Sequence, residues 1–119
     1  MHELAVTESI LEIALRHARE AHATTVTDLH LVIGELSTIV DESVQFYWGF
    51  VAEGTPAAGA TLHFRRVPGQ LACQTCGHTY SPREALTCPV CDSQDVRVVA
   101  GEEFYLEAID VSTAIPEQW

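Results

Sequence analysis

The sequence predicts an α+β fold: two helices on a small three-stranded mixed sheet, with a four-cysteine module inserted between two of the strands. Three observations predict it. An amphipathic helical pattern opens the chain, strand and helix periods alternate after it, and all four cysteines crowd into one stretch, CQTCGHTYSPREALTCPVC, that breaks every period.

Residues 4–22 are the first helix. At about 100° per residue, Val6, Ile10, Leu11, Ile13, Ala14, Leu15, Ala18 and Ala21 share one broad side, extended by Leu4, and His17 falls with them. Glu8, Glu12, Arg16 and Arg19 take the other side. Residues 26–36 switch to a period of two, with Leu29, Leu31 and Ile33 opposite Asp28, His30 and Val32. Asp41-Glu42-Ser43 then offer acidic side chains to a helix start. The run Val44, Phe46, Tyr47, Trp48, Phe50, Val51 is expected as a short buried helix ending near Gly54. Residues 60–67 form a second strand, and 96–111 read as a third with an irregularity at Gly101. The expected division is an α/β part, 1–67 plus 96–119, and an inserted module, 68–95.

Composition narrows the function. The chain has 119 residues, 17 aspartates and glutamates against 6 arginines with no lysine, and a formal charge of −11. Phosphate backbones and anionic membrane surfaces repel such a chain, so nucleic acid and membrane insertion are not expected. The opening MHELAVTESILEIALRH lacks a basic region and carries Glu3, Glu8 and Glu12, unlike a secretory signal. A cytoplasmic location is expected, where cysteines stay reduced and metal binding is favoured over disulfides.

The cysteines are Cys73/Cys76 and Cys88/Cys91, two CxxC pairs with eleven residues between them. Each pair lets two thiolates reach one cation from a tight turn, and two such knuckles close a tetrahedral S₄ site with bonds of about 2.3 Å. A closed S₄ site has no open position, so zinc there is structural. A rubredoxin-like iron site shares the spacing. Gly77 suits the first turn and Pro89 stiffens the second.

The other candidate is the N-terminus. With histidine at position two, the Met1 amine, the His2 backbone nitrogen and the His2 imidazole can chelate one cation in fused rings, with Glu3 offering a fourth donor. Planar nitrogen ligation points to Ni(II) or Cu(II). Among the other histidines, His22 suits a helix end, His30 and His63 sit on strands where they could face each other, and His78 follows the first knuckle as a surface group or a transient nickel ligand. Arg65-Arg66 makes no basic patch, and Glu102-Glu103 reads as a solvated turn. There is no phosphate loop and no nucleophile motif.

The opening MHE, the helix LAVTESILEIAL, the strand ending VIGELS, the acidic start of the next helix and the CxxC…CxxC insertion together resemble the hydrogenase nickel-incorporation family HypA/HybF, over essentially the whole chain. The resemblance implies a metallochaperone, not an enzyme, that carries Ni(II) during [NiFe]-hydrogenase maturation. It implies a HypB-like GTPase and the hydrogenase large-subunit precursor as partners, with some relatives also serving urease. It places nickel on Met1, His2 and Glu3, supported by Asp41 or Glu42, and zinc on Cys73, Cys76, Cys88 and Cys91. The chain would be a monomer or a homodimer. Two departures stand out: the gap between the CxxC pairs is shorter than the family's, and Asp92 occupies the place where some relatives have a histidine. The rival class is a zinc-ribbon interaction module with no nickel function.

Overall fold

In a computed structural model, the backbone is described for residues 2–113 and side chains from Glu3 onward. The elements run α1 (His2–Glu20), β1 (Thr25–Gly34), α2 (Asp41–Val51), β2 (Thr61–Val67), β3 (Gln70–Cys73), β4 (Thr79–Tyr80), β5 (Val96–Ala100) and β6 (Phe104–Ser112). The strands form two three-stranded sheets, ordered β2-β1-β6 and β4-β3-β5. The expected helices and α+β class are present, and the sheet predicted by the sequence corresponds to β2-β1-β6. The second sheet was not expected.

The chain forms two compact units. One comprises Met1–Leu31, Ile39–Arg65 and Tyr105–Trp119, the other Val32–Thr38 and Arg66–Phe104. The second unit, 32–38 plus 66–104, contains the 68–95 expected as an inserted module.

In the first unit, α1 buries Thr7, Ile10, Leu11, Ala14 and Ala18, a stripe with helical spacing. Thr7 is polar yet fully buried, and its hydroxyl donates to the Glu3 carbonyl one turn back. Val26, Leu29 and Leu31 of β1, Val44, Trp48 and Ala52 of the α2 region, and Ala57, Ala60 and Leu62 beyond it complete the core. α1 closes where His22 adopts a left-handed φ of 55°. The Ala23 N–H bonds the Ala18 carbonyl at 2.9 Å and the His22 N–H bonds the Arg19 carbonyl at 3.0 Å, a Schellman ending. His17 is not on the buried side: its side chain is 53% exposed and lies 3.3 Å from Glu20.

Helix α2 also departs from expectation. Only Val44 and Trp48 are buried, while Phe46 and Phe50 are 63% and 61% exposed and meet edge to face at 5.1 Å. The apolar run is longer than the face that the core can cover.

In the second unit, β3 pairs antiparallel with β4 and with β5. The strand expected over 96–111 is two strands in different sheets, and Gly101 is the reason. Its φ is +104°, and the backbones of Gly34 and Gly69 press against it. A Cβ on Gly34 would lie 2.0 Å from the Gly101 oxygen, and one on Gly101 would lie 2.5 Å from the Gly69 Cα. The Leu36 N–H bonds the Gly101 carbonyl at 2.6 Å and the Gly34 N–H bonds the Glu103 carbonyl at 2.7 Å. Glu103 is not a solvated turn residue: its carboxylate accepts the Gly101 N–H at 2.7 Å. Period-two patterning cannot report this break, because alternation continues on both sides of it.

Backbone, not a pliable side chain, fills the space at Gly34. Gly34→Ala is expected to destabilise the protein by about 3 kcal/mol or more, at the upper end of overpacking costs. Urea unfolding followed by far-ultraviolet circular dichroism would measure it, and a loss under 1 kcal/mol would contradict this packing.

Candidate metal centres

The cysteine centre is built from two turns with the same hydrogen bonds. In the first, the Cys73 N–H bonds the His78 carbonyl at 2.8 Å and the Gly77 N–H bonds the Cys73 carbonyl at 2.9 Å. In the second, the Cys88 N–H bonds the Ser93 carbonyl at 2.9 Å and the Asp92 N–H bonds the Cys88 carbonyl at 2.8 Å. Gly77 and Asp92 hold equivalent places, at φ of 84° and 63°. Asp92 thus takes a left-handed conformation that the matching turn gives to glycine. This role was not visible in the sequence, where only the position after the last cysteine was noted.

The four sulfurs lie within 4.8 Å of one another. Cys73 and Cys91 are 3.5 Å apart, and Cys76 and Cys88 are 3.6 Å apart. Bonds of about 2.3 Å at tetrahedral angles separate sulfurs by about 3.8 Å, so the cage has the size zinc needs. Backbone N–H groups of Thr75 and Cys76 point at the Cys73 sulfur, each at 3.4 Å, and that of Val90 points at the Cys88 sulfur at 3.4 Å. Such donors stabilise thiolates. The Cys76 N–H leads in bringing the Cys73 thiol down to about 6. Cys91 is pushed up to about 12: the Ser93 N–H favours its thiolate, but its hydrogen bond with Cys73 and burial outweigh that. Cys73 and Cys88, whose sulfurs accept the backbone N–H groups, are shifted toward thiolate, while Cys76 and Cys91 are shifted toward thiol.

Around the cage, Cys73 and Cys88 pack with Leu71 and Tyr80, backed by Leu36, Ala85 and Val96. The Tyr80 hydroxyl is buried with no hydrogen-bond partner among the described residues, and burial, followed by the nearby cysteine charges, pushes its ionisation to higher pH than usual. The His78 ring stacks on Tyr80 at 6.1 Å. The four-cysteine group comprises no histidine.

Of the N-terminal candidates, Met1 and the His2 side chain lie outside the described residues, and Glu3 is described. The Glu3 carboxylate accepts the backbone N–H of Val40, which precedes α2, at 3.2 Å. Its own backbone N–H and that of Val40 hold the Glu3 carboxyl below its ordinary value. Val40 makes no side-chain cap; Asp41 and Glu42 form the acidic first turn of α2 as expected, and the Glu3 carboxylate adds a bond to the residue before it. Asp41 accepts the Glu42 N–H at 2.9 Å. One hydrogen bond therefore brings the start of α1 beside the start of α2, gathering Glu3, Asp41 and Glu42 in one region of the first unit.

His30 and His63 do face each other, with ring centroids 4.8 Å apart. Arg65 pairs with Glu107 at 2.6 Å. In the second unit, Arg83 pairs with Glu35 at 2.6 Å.

The cysteine geometry carries two expected results. The protein should hold one zinc per chain by metal analysis after dialysis, and Cys88→Ser should hold none. Asp92→Gly should leave zinc content intact and stabilise the protein by up to about 1 kcal/mol by relieving the left-handed residue; a clear destabilisation would show that the Asp92 side chain matters more than its backbone.

Comparison with known proteins places this arrangement. The sequence profile of the family described as HypA, hydrogenase/urease nickel incorporation, metallochaperone, matches residues 1–111. The chain is 41% identical over 112 residues to the hydrogenase maturation factor HypA of Dehalococcoides mccartyi, covering 93% of this chain and 94% of that one. It is 40% identical over 113 residues to the HypA of Caldanaerobacter subterraneus, covering 93% of this chain and 99% of that one. Its fold resembles the solution structure of the Ni metallochaperone HypA from Helicobacter pylori, with a TM-score of 0.65, 23% identity and coverage of 94% and 98% of the two chains. A second solution structure of a HypA protein gives a TM-score of 0.71 at 24% identity, covering 96% of this chain and 98% of that one. The chain belongs to the HypA family of nickel-incorporation metallochaperones that act in hydrogenase maturation.

Proposed function

We propose that this chain takes up Ni(II) at its N-terminus, on the Met1 amine, the His2 amide and imidazole, and Glu3, and delivers it to the large-subunit precursor of a [NiFe]-hydrogenase with the help of a HypB-like GTPase in the cytoplasm. The observation that carries this reading is the Glu3–Val40 hydrogen bond. It anchors the third residue against a second helix, so the donors just before it start from a fixed point.

The chemistry follows from the helix end. α1 begins at His2, and the first four N–H groups of a helix have no partner within it. Those amides lie outside the helix ladder, so a metal that displaces their protons breaks no helical hydrogen bond. The positive end of the helix dipole disfavours a cation, and the carboxylates of Glu3, Asp41 and Glu42 offset it. Asp41 or Glu42, at the start of α2, supports the nickel from outside the chelate. A planar site built on a chain terminus is open on one side, so an acceptor protein can replace its ligands one at a time. Zinc on Cys73, Cys76, Cys88 and Cys91 supplies structural order in the second unit and leaves the cargo to the first.

Nickel titrated into zinc-loaded protein should give one zinc and one nickel per chain by native mass spectrometry. A twin with one residue added before Met1 should hold zinc alone, and His2→Ala should behave like the twin. Nickel affinity should fall as pH falls, because binding expels amide protons. Equal uptake by protein and twin would move the site elsewhere; no specific nickel in either would leave a zinc-stapled interaction module.

A further inference from the structure

Helix α2 turns an aromatic surface outward. Glu42, Phe46, Gly49 and Phe50 follow one another at spacings of three and four or lie side by side, so they share the side away from buried Val44 and Trp48. The Phe46 and Phe50 rings are more than half exposed, yet they pack edge to face at 5.1 Å, and Phe46 also meets Tyr47 at 5.5 Å. Single exposed apolar residues are ordinary, but touching aromatics opposite the core form a patch of the kind that contacts other molecules. Gly49 sits beside them, and the fold gives no reason for it. A Cβ there would meet nothing within 4 Å. Glycine inside a helix weakens it relative to alanine. What it leaves is a shallow notch next to the two rings, where another backbone can come close.

The charge around the rings has one sign. α2 contains Asp41 and Glu42 and no arginine or histidine, and Glu53 follows, exposed, in the turn beyond it. A groove of about 260 Å³ beside α2 is lined by Asp41, Glu42, Gln45 and Phe64, the last from β2. Two carboxylates and an aromatic ring in one groove suit a cationic side chain, by ion pairing and by attraction to the ring face. A second copy of the chain does not fit, because a symmetric contact would set these carboxylates against themselves and each chain carries a formal charge of −11. An anionic membrane is repelled in the same way.

We propose that this face of α2 docks a basic amphipathic helix of another protein. Apolar side chains of that helix cover Phe46 and Phe50, its backbone approaches over Gly49, and one of its arginines or lysines enters the groove beside Phe64. The aromatic pair supplies the anchor, and the carboxylates of Asp41, Glu42 and Glu53 select the partner's charge and steer its approach. Docking here does not require nickel.

The test uses the full chain with zinc in its cysteine site and no nickel. The probe is a synthetic helical peptide with leucines along one face and arginines at its flanks; a control peptide carries glutamate in place of arginine. The arginine peptide is expected to shift the ring signals of Phe46, Phe50 and Phe64 together in NMR spectra, with an affinity that falls as salt rises. Phe46→Ser should weaken binding by roughly tenfold or more. Gly49→Gln should raise the thermal midpoint by removing a helical glycine, yet weaken binding by roughly fivefold or more by filling the notch. Equal binding of the two peptides, or unchanged affinity in Phe46→Ser or Gly49→Gln, would overturn the proposal. So would a concentration-dependent dimer that Phe46→Ser abolishes, since the occupant would then be a second copy.

Discussion

Four cysteine sulfurs within 4.8 Å of one another constrain everything in the second unit. The apolar cluster around the cysteines is small: Leu71, Cys73, Tyr80 and Cys88, with three partly buried neighbours. So little apolar surface does not order one small three-stranded sheet and two tight turns by itself. The turns nonetheless repeat one hydrogen-bond pattern around Cys73 and Cys88, and both place backbone N–H groups on sulfur. Those donors favour thiolate, while proximity limits how many thiolates can coexist. A divalent cation removes that conflict. Its binding energy then acts as folding energy.

The glycine contact is the second constraint on that unit. Gly34, Gly69 and Gly101 let three backbone segments meet where no Cβ fits. Glu35 lies beside it and accepts the Gly69 N–H at 2.6 Å while pairing with Arg83. Leu36, the next residue, packs on the cysteine cluster. The segment GEL is thus accounted for residue by residue: a backbone approach, a carboxylate that bonds a turn, and an apolar contact to the cysteine turns.

Much of this was legible in the sequence. Both helices, three strand regions and the four-cysteine set were marked by periodicity and spacing, because those signals are local. What was missed depends on partners distant in the chain. Alternation across 96–111 gave no hint that β5 pairs with β3 while β6 joins β1. The apolar run in α2 suggested burial, but the core reaches only Val44 and Trp48. Acidic residues at 41 and 42 marked the start of α2, but the bond to Val40 from Glu3, 37 residues before it, was not visible locally. His30 and His63 could be placed on strands that could face each other, yet their stacking needed the register of both strands.

The proposed function combines family membership and the Glu3 anchor into one picture: a unit stapled by zinc and a unit whose first residues would offer nitrogen donors to nickel. The picture separates the two metals by ligand chemistry, sulfur for zinc and nitrogen for nickel. X-ray absorption at the nickel edge, on protein carrying one zinc and one nickel, tests that separation most directly. The expected spectrum is a planar site of nitrogen and oxygen donors with imidazole scattering and no sulfur. Sulfur in the nickel shell would put the cargo on the cysteines and contradict the account.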